Sequence, residues 1–479
     1  MSRRGSTRWT GGFAVAAIAC AALPVAVVQA RGETLESALM RTYQNNPTLN
    51  SQRAAVRATD EGVPQALSGY RPKISITASG GEQSLSSNSQ VVSGTTPPGS
   101  PATYFSQSGY NATYGAGIAA TQTIFNGFQT ANRSRQAESQ VSAAREALRT
   151  AEQTVLLNAV TAYMNLLRDH AILELQKRNI EVLEEQLRQT RDRFNVSDVT
   201  RTDVAQSESR LAAGRSQVLI AQSNYTASLA TYRQVIGSDP GKLTSATPVD
   251  RFSPRNLGDA IGYASATHPS VTTAQYNVDV ALLQVKVAEG ALYPTLSVQA
   301  NVQKNYFPVG GLNTVESYNA TVLGQLSVPI YQGGAEYSLI RQAKETLGEK
   351  RLDLDSARDQ VRQNVVQSWG QLEAAKSNIE ATKSQVQAAE IALNGVREEA
   401  RVGQRTTLDV LNAQQELVNG RVALVSAQRD RVVASFTLLA AVGRLSPLVL
   451  GLHVPTYNVQ AHYEQVRDSW AGVRTPDGR

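Results

Sequence analysis

The chain has 479 residues, 41% of them hydrophobic and 18% charged, with 46 Lys and Arg against 40 Asp and Glu. Three of the basic residues, Arg3, Arg4 and Arg8, sit at the extreme N-terminus. The balance left without them is too weak and too evenly spread for a nucleic-acid-binding surface, so no nucleic-acid partner is expected. Cys20 is the single cysteine, which excludes a disulfide framework. The four histidines, His170, His268, His453 and His462, are scattered without metal-ligand spacing. There is no G-x-S-x-G, phosphate loop or CxxC. No enzyme, cofactor or metal is expected from these residues.

Residues 1–30 read as an export signal peptide. A basic start precedes the apolar run "GGFAVAAIACAALPVAVV", and "VQA" offers small residues for cleavage after Ala30. A transmembrane anchor is the alternative, opposed by Pro24 and the short run. Cys20 in "AIAC" loosely resembles a lipoprotein processing site but lacks the usual Leu three residues earlier. Beyond this leader no apolar run is long enough for a transmembrane helix.

From there the chain is written twice. Pro47 matches Pro269 and Pro72 matches Pro294 at one offset. Ile124 and Ile330, Gly127 and Gly333, Asp203 and Asp409, and Gly237 and Gly443 match at a shorter one. The surplus therefore lies between Pro72 and Ile124, where "GGEQSLSSNSQVVSGTTPPGSPATYFSQSG" reads as an exposed loop. The first repeat spans residues 31–237, a linker 238–256, the second repeat 257–445 and a C-terminal tail 446–479. Each repeat begins with a helix (Thr34–Glu61; Leu257–Glu289) stopped at "YRP" or "LYP". Two strands follow, then a Gly turn ("FNG", "YQGG"), a very long helix, a short break and a second long helix.

The strands alternate strictly. Ile74, Ile76 and Ala78, then Tyr110, Ala112, Tyr114, Ile118 and Ile124, take one face in the first repeat. Leu296, Val298, Ala300 and Val302, then Tyr318, Ala320, Val322, Leu326, Val328 and Ile330, do so in the second. Apolar-out, polar-in alternation over about ten residues suits a membrane barrel strand; a half-buried sheet of a soluble domain would alternate too. Four strands cannot close a barrel, which needs about eight, and an open edge in lipid leaves backbone groups unsatisfied. The strand count thus predicts a homo-oligomer, and a lumen wide enough for a pore favours three chains. In the long helices Leu166, Leu173, Ile180, Leu187 and Phe194 recur every heptad, as do Leu372, Ile379, Val386, Leu393 and Ala400. These are seams for antiparallel coiled coils. Phe128–Phe194 as one helix would span about 100 Å.

With "YRP" and "LYPTLSV", "IFNG" and "PIYQGG", "RFNVSDVTRTDV" and "VGQRTTLDVLNAQ" in order and in duplicate, the chain resembles the TolC family of outer-membrane channel proteins from about Thr34 to Leu445. The fold this implies is mainly α with membrane β: a trimeric α/β-barrel with four strands and long antiparallel coiled-coil helices per protomer. Its implied place is the cell outer membrane, extending into the periplasm. The implied function is the exit duct of a tripartite export system, for drug efflux or type I protein secretion. Its partners would be a homotrimer, a periplasmic adaptor, an inner-membrane pump (RND, ABC or MFS type) and outer-membrane lipid. The inter-repeat linker and the C-terminal tail would build a belt around the helices.

The resemblance also implies a gate at the helical tip. Asp409 matches a charge-ring aspartate, and Asn412 stands where the family often has a second acid. Arg405 matches a latch arginine whose implied partners are Thr202 and Asp203. Ala400 replaces a second latch, a tyrosine. Val196, Ser197, Val402 and Gly403 fall at the tips implicated in adaptor docking. From the residues alone, Asp409 could equally be a helix-start carboxylate favoured by the dipole, and acidic pairs such as Glu184-Glu185 and Glu398-Glu399 read as solvated faces. The alternative function is a periplasmic coiled-coil adaptor without a channel.

Overall fold

The computed structural model describes residues 33–91, 99, 103–307, 315–476 and 478. The expected signal peptide, its cleavage point and Cys20 lie outside the described residues.

Helices come first in each half. Where the sequence suggested one helix over Thr34–Glu61, the chain forms α1 (Leu35–Asn45), α2 (Pro47–Asp60) and the short α3 (Gly62–Leu67). Pro47 causes the first break: it pushes the residue before it out of the helical region, and Asn46 sits at φ −63°, ψ 123°. Asn46 turns the break into a cap, its Oδ1 accepting from the N–H groups of Thr48 and Leu49 at 3.0 and 3.2 Å. The second half repeats the device, α6 (Leu257–Thr267) and α7 (Pro269–Gly290) parting at His268.

These short helices continue the returning arms of the coiled coils. Helix α4 (Gln129–Asn195) and helix α8 (Ala335–Arg401) are each 67 residues, about 100 Å at the α-helical rise. Antiparallel to them run α5 (Arg201–Ile236) and α9 (Thr407–Ala441). Asn46 Nδ2 donates to the Val235 carbonyl at 2.9 Å, so α2 stands on the end of α5. His268 likewise abuts Gly443 just past α9, where a Cβ would meet the His268 Cα at 3.1 Å. Of the expected seam, Leu166, Leu173, Leu187, Leu372 and Leu393 are buried, whereas Phe194 at the tip is exposed.

The four strands form one antiparallel sheet in the order β1-β2-β3-β4: β1 (Lys73–Val91), β2 (Thr103–Asn126), β3 (Thr295–Phe307) and β4 (Val315–Ser327). The register puts the expected apolar set on one face, as in the rows Ile74–Ala120–Ala300–Val322 and Ile76–Ile118–Val302–Ala320. The opposite face carries rows such as Thr77–Gly117–Gln303–Asn319. Three expected members of the apolar face fall outside the paired register. A bulge between Thr123 and Phe125 leaves Ile124 unpaired and sets Phe125 opposite Leu296. Val328 and Ile330 lie beyond β4, which ends at Ser327.

The surplus segment is also corrected. Much of the stretch read as an exposed loop is paired strand: Gly81–Val91 and Thr103–Thr113 form a two-stranded ribbon beyond the end of β3. Ser, Gly and Asn disfavour strands locally, but the pairing of both chains in one register overrides that preference. Its tip lies outside the described residues.

Each strand pair turns into its long helix through two consecutive left-handed residues. In the second repeat these are Gly333 and Gly334 (φ 70° and 85°); in the first, Gly127 and Phe128 (both φ 62°). Halfway along α4, at the far ends of α5 and α9, lies the main core, where Tyr163, Leu156, Tyr232, Phe436 and Leu445 are buried together. Leu243, Val249 and Phe252 of the linker and Leu450 and Leu452 of the tail pack on it.

Candidate gate at the hairpin tips

The two coiled-coil tips are built alike. Helices α4 and α8 end at Val196 and Val402 with nearly identical backbone angles (φ −96°, ψ 9° and 10°). The next residue is left-handed in both: Ser197 at φ 64° and Gly403 at φ 77°. In the first tip the N–H of Ser197 bonds the Phe194 carbonyl (2.9 Å) and that of Asp198 bonds the Arg193 carbonyl (2.9 Å). In the second, Gly403 bonds Ala400 (3.3 Å) and Gln404 bonds Glu399 (2.9 Å). Both are Schellman motifs, closing the last turn on carbonyls that would otherwise be orphaned. Only the first does so with a side chain in the left-handed region. Val196 and Val402 are exposed, so each tip presents an apolar knob beside the turn.

The returning helices start with matched capping boxes. Asp203 Oδ2 accepts from the Thr200 N–H (2.9 Å) and hydroxyl (2.6 Å), while the Asp203 N–H donates to Thr200 Oγ1 (3.3 Å). Asp409 Oδ2 accepts from the Thr406 N–H (3.0 Å) and hydroxyl (2.9 Å), with the reciprocal bond at 3.2 Å. The Thr406 N–H and hydroxyl, aided by the Arg405 charge, hold the Asp409 carboxyl below the usual carboxylate range. The Thr200 hydroxyl does the same first for Asp203, then its N–H. The helix-start reading of Asp409 thus describes its place in the single chain. Its carboxylate is ionised at neutral pH and keeps lone pairs for a further ligand.

The chain does not join Arg405 to Thr202 or Asp203. Arg405 Nε donates to Glu399 Oε2 at 2.8 Å within its own hairpin, which pushes the guanidinium pKa further up. Asp203 is engaged by its own cap, and Thr202 is exposed. The acidic pairs lie on solvated faces as expected, and each acid there also has an arginine partner: Glu184 with Arg215, Glu185 with Arg188, Glu398 with Arg401 and Glu399 with Arg405. Exposed pairs of this kind contribute little stability. They do fix where each guanidinium rests.

What ties the first hairpin to the second near the tips is a different pair. Arg210 on α5 donates through a terminal guanidinium nitrogen to Asn412 Oδ1 on α9 at 2.6 Å. Directly beside Asn412, Leu411 buries itself among Leu183, Leu187 and Leu211 of the first hairpin. Its neighbour Val410 packs instead with Leu393 and Leu417 of the second. Higher up, Gln414 Nε2 reaches Asn179 Oδ1 (3.4 Å) and Arg429 Nε reaches Asn165 Oδ1 (2.8 Å). Sequence reasoning missed Arg210 because an arginine on a helix surface carries no signal of what lies across from it.

Among the described residues no group of His, Cys, Asp and Glu could hold a metal ion, and no helix is long and apolar enough to cross a membrane. The exposed apolar face of the sheet is the feature suited to lipid.

The sequence matches the outer membrane efflux protein family over residues 38–238 and 260–444, which takes in both hairpins and the sheet. It is 41% identical over 450 residues to the outer membrane efflux protein BepC of Brucella suis biovar 1 (strain 1330), covering 94% of each chain. It is 27% identical to the outer membrane protein TolC of Escherichia coli (strain K12), covering 85% of this chain and 82% of that one. Among solved structures, the fold is similar to the Campylobacter jejuni CmeC outer membrane channel. The TM-score is 0.72 at 17% identity, over 91% of this chain and 89% of that one. With a family match across both repeats and a relative of this identity spanning nearly the whole sequence, the chain belongs to the outer membrane efflux protein family.

Proposed function

We propose that three copies of this chain form a passive exit duct through the outer membrane and periplasm, serving a tripartite export system. The observation that carries the reading is the sheet: four strands with an apolar face, ending in β1 and β4, each with one unpaired edge. In lipid such an edge costs several kcal/mol per unsatisfied group. Pairing β1 of one copy with β4 of the next removes every edge, and twelve strands leave a lumen where eight would fill with side chains. The coiled coils continue the wall into the periplasm. An adaptor and an inner-membrane pump of the RND, ABC or MFS type would engage the tips, the pump supplying the energy. The 41% identity to a protein named for efflux favours efflux over type I protein secretion.

In this duct the hairpin tips converge on the axis. Asp409 forms a ring of ionised carboxylates that attracts cations and binds multivalent ones, with Asn412 contributing no charge. Arg405 is the latch: its guanidinium exchanges Glu399 for Thr202 and Asp203 as the tips close. Val196, Ser197, Val402 and Gly403 are the adaptor's docking points. A coiled-coil adaptor, the competing reading, leaves the apolar sheet face without a purpose.

Recordings of the purified protein in planar lipid bilayers test the duct. Discrete conductance steps are expected; their absence from correctly assembled trimer would overturn it.

A further inference from the structure

We propose that the C-terminal tail is a strap that seats Trp470 in the headgroup layer of the membrane leaflet facing the helices. The inference rests on reading the sheet as a membrane barrel. The tail follows α2 and α3 toward the sheet, contact by contact in matching order. The Arg53 guanidinium lies between the rings of Tyr43 and Tyr457, 4.5 and 5.2 Å from their centroids. One helical segment on, α10 (Val459–Val466) brings His462 Nδ1 to 3.2 Å from Asp60 Oδ2 at the end of α2. Arg145 of α4 sits 5.1 Å from the adjacent Tyr463 ring. Last, Arg71 donates to the Ser469 carbonyl and covers the Trp470 ring at 4.7 Å. Arg71 lies just ahead of Lys73, the first residue of β1. The strap therefore ends level with the helical end of the sheet.

That level is marked by aromatics. Each of the four strands has one within a few residues of its helical end: Tyr70 before β1, Phe128 after β2, Tyr293 before β3 and Tyr331 after β4. All four are more than half exposed, and so is Trp470, at 72%. Barrels place aromatic girdles where the apolar band meets water, because an amphipathic ring is most stable between hydrocarbon and headgroups. Trp470 joins these exposed rings from the C-terminal tail. Arg71 beneath it leaves the indole face partnered on one side and the rest free for lipid. The occupant this surface fits is the phospholipid headgroup region, continuous with the lipid against the sheet.

The test uses lipid-borne quenchers. Replacing Trp9 and Trp369 by Phe leaves Trp470 as the sole tryptophan of the chain. The full chain is reconstituted into phosphatidylcholine vesicles carrying bromines either high or low on the acyl chains. Trp470 fluorescence is expected to fall more with the shallow label than the deep one, and Arg71→Ala should reduce that quenching. A parallel protein with Trp9, Trp369 and Trp470 all changed to Phe and Val322→Trp reports on the lipid face of the sheet. Quenching of the residue 322 reporter without quenching of Trp470 overturns the strap while leaving the barrel intact. Deep-label quenching of Trp470 exceeding shallow also overturns it. Quenching of neither removes the membrane reading of the sheet, and the strap with it.

Discussion

Replacing Gly403 by alanine should loosen the second hairpin tip, and the structure says by how much. Gly403 is the left-handed residue of a Schellman motif, and a Cβ built on it meets nothing within 4 Å. The cost is therefore conformational alone: about 1–2 kcal/mol for an L-residue in this region, offset in part by the smaller backbone entropy alanine loses on folding. A net loss of about 1 kcal/mol corresponds to about fivefold faster amide exchange at Gly403 and Gln404, whose N–H groups close the turn. Gly395 provides the opposite sign. It too has open space around its Cβ position, but it lies within α8 at an ordinary helical angle, so alanine there should stabilise the last turns by about the same amount. The first tip gives the mirror experiment, because Ser197→Gly should slow exchange of the Asp198 amide. Hydrogen exchange resolved to single residues reads all three. If Gly403→Ala and Gly395→Ala change protection in the same direction, backbone conformation does not govern the tip and the reasoning is wrong.

The remaining predictions concern the gate and a helix break. Asp409→Ala should weaken block of single-channel current by multivalent cations. Thr406→Ala disrupts the same cap but keeps the charge, so it should leave block intact; equal loss in both would mean the cap and not the charge matters. Arg405→Ser should give a leakier channel, measured as higher resting conductance, and unchanged conductance would count against its latch role. Arg210→Ala and Asn412→Ala should each raise resting conductance, and the double variant should do no more than either alone, since both remove one hydrogen bond. His268 caps α7 through an unprotonated Nδ1 that accepts from Ser270 at 3.1 Å. Burial pushes its pKa down. Its stabilisation is thus present above the ordinary imidazole value, about 6.5, and is lost as pH falls from there through the depressed value. The Ser270 amide should lose protection on acidification while Thr48, capped by Asn46, does not. His268→Asn, copying the first repeat, should abolish the difference.

Much of this was legible in the sequence because it depends on local or periodic signals. Heptads, strand alternation and the Pro and Gly stops each need only a short window, the duplication only a comparison of the chain with itself, and the helix-start reading of Asp409 only its neighbours. The same windows misjudged the β1–β2 ribbon, where local propensity spoke for a loop and cross-strand pairing decided otherwise. Ile124 fitted the alternation, and a bulge took it out of the pairing.

The repeating units, their order and the residues that seek the apolar side follow from the order of the amino acids. Apart from pairs three residues apart on one helix, such as Glu185 with Arg188, the partners of the charged side chains came only from the docking of the elements. Arg405 had several carboxylates in reach of its chain position and took Glu399; Arg210 met Asn412 across 202 residues. The tail met α2 at Asp60, 402 residues before His462. A long flexible cation bonds whatever the packing of helices brings near it, and that packing is set by the buried leucine seams rather than by the cation. Hydrophobic periodicity therefore writes the fold into the sequence, while the polar contacts of the gate follow only once the helices have docked.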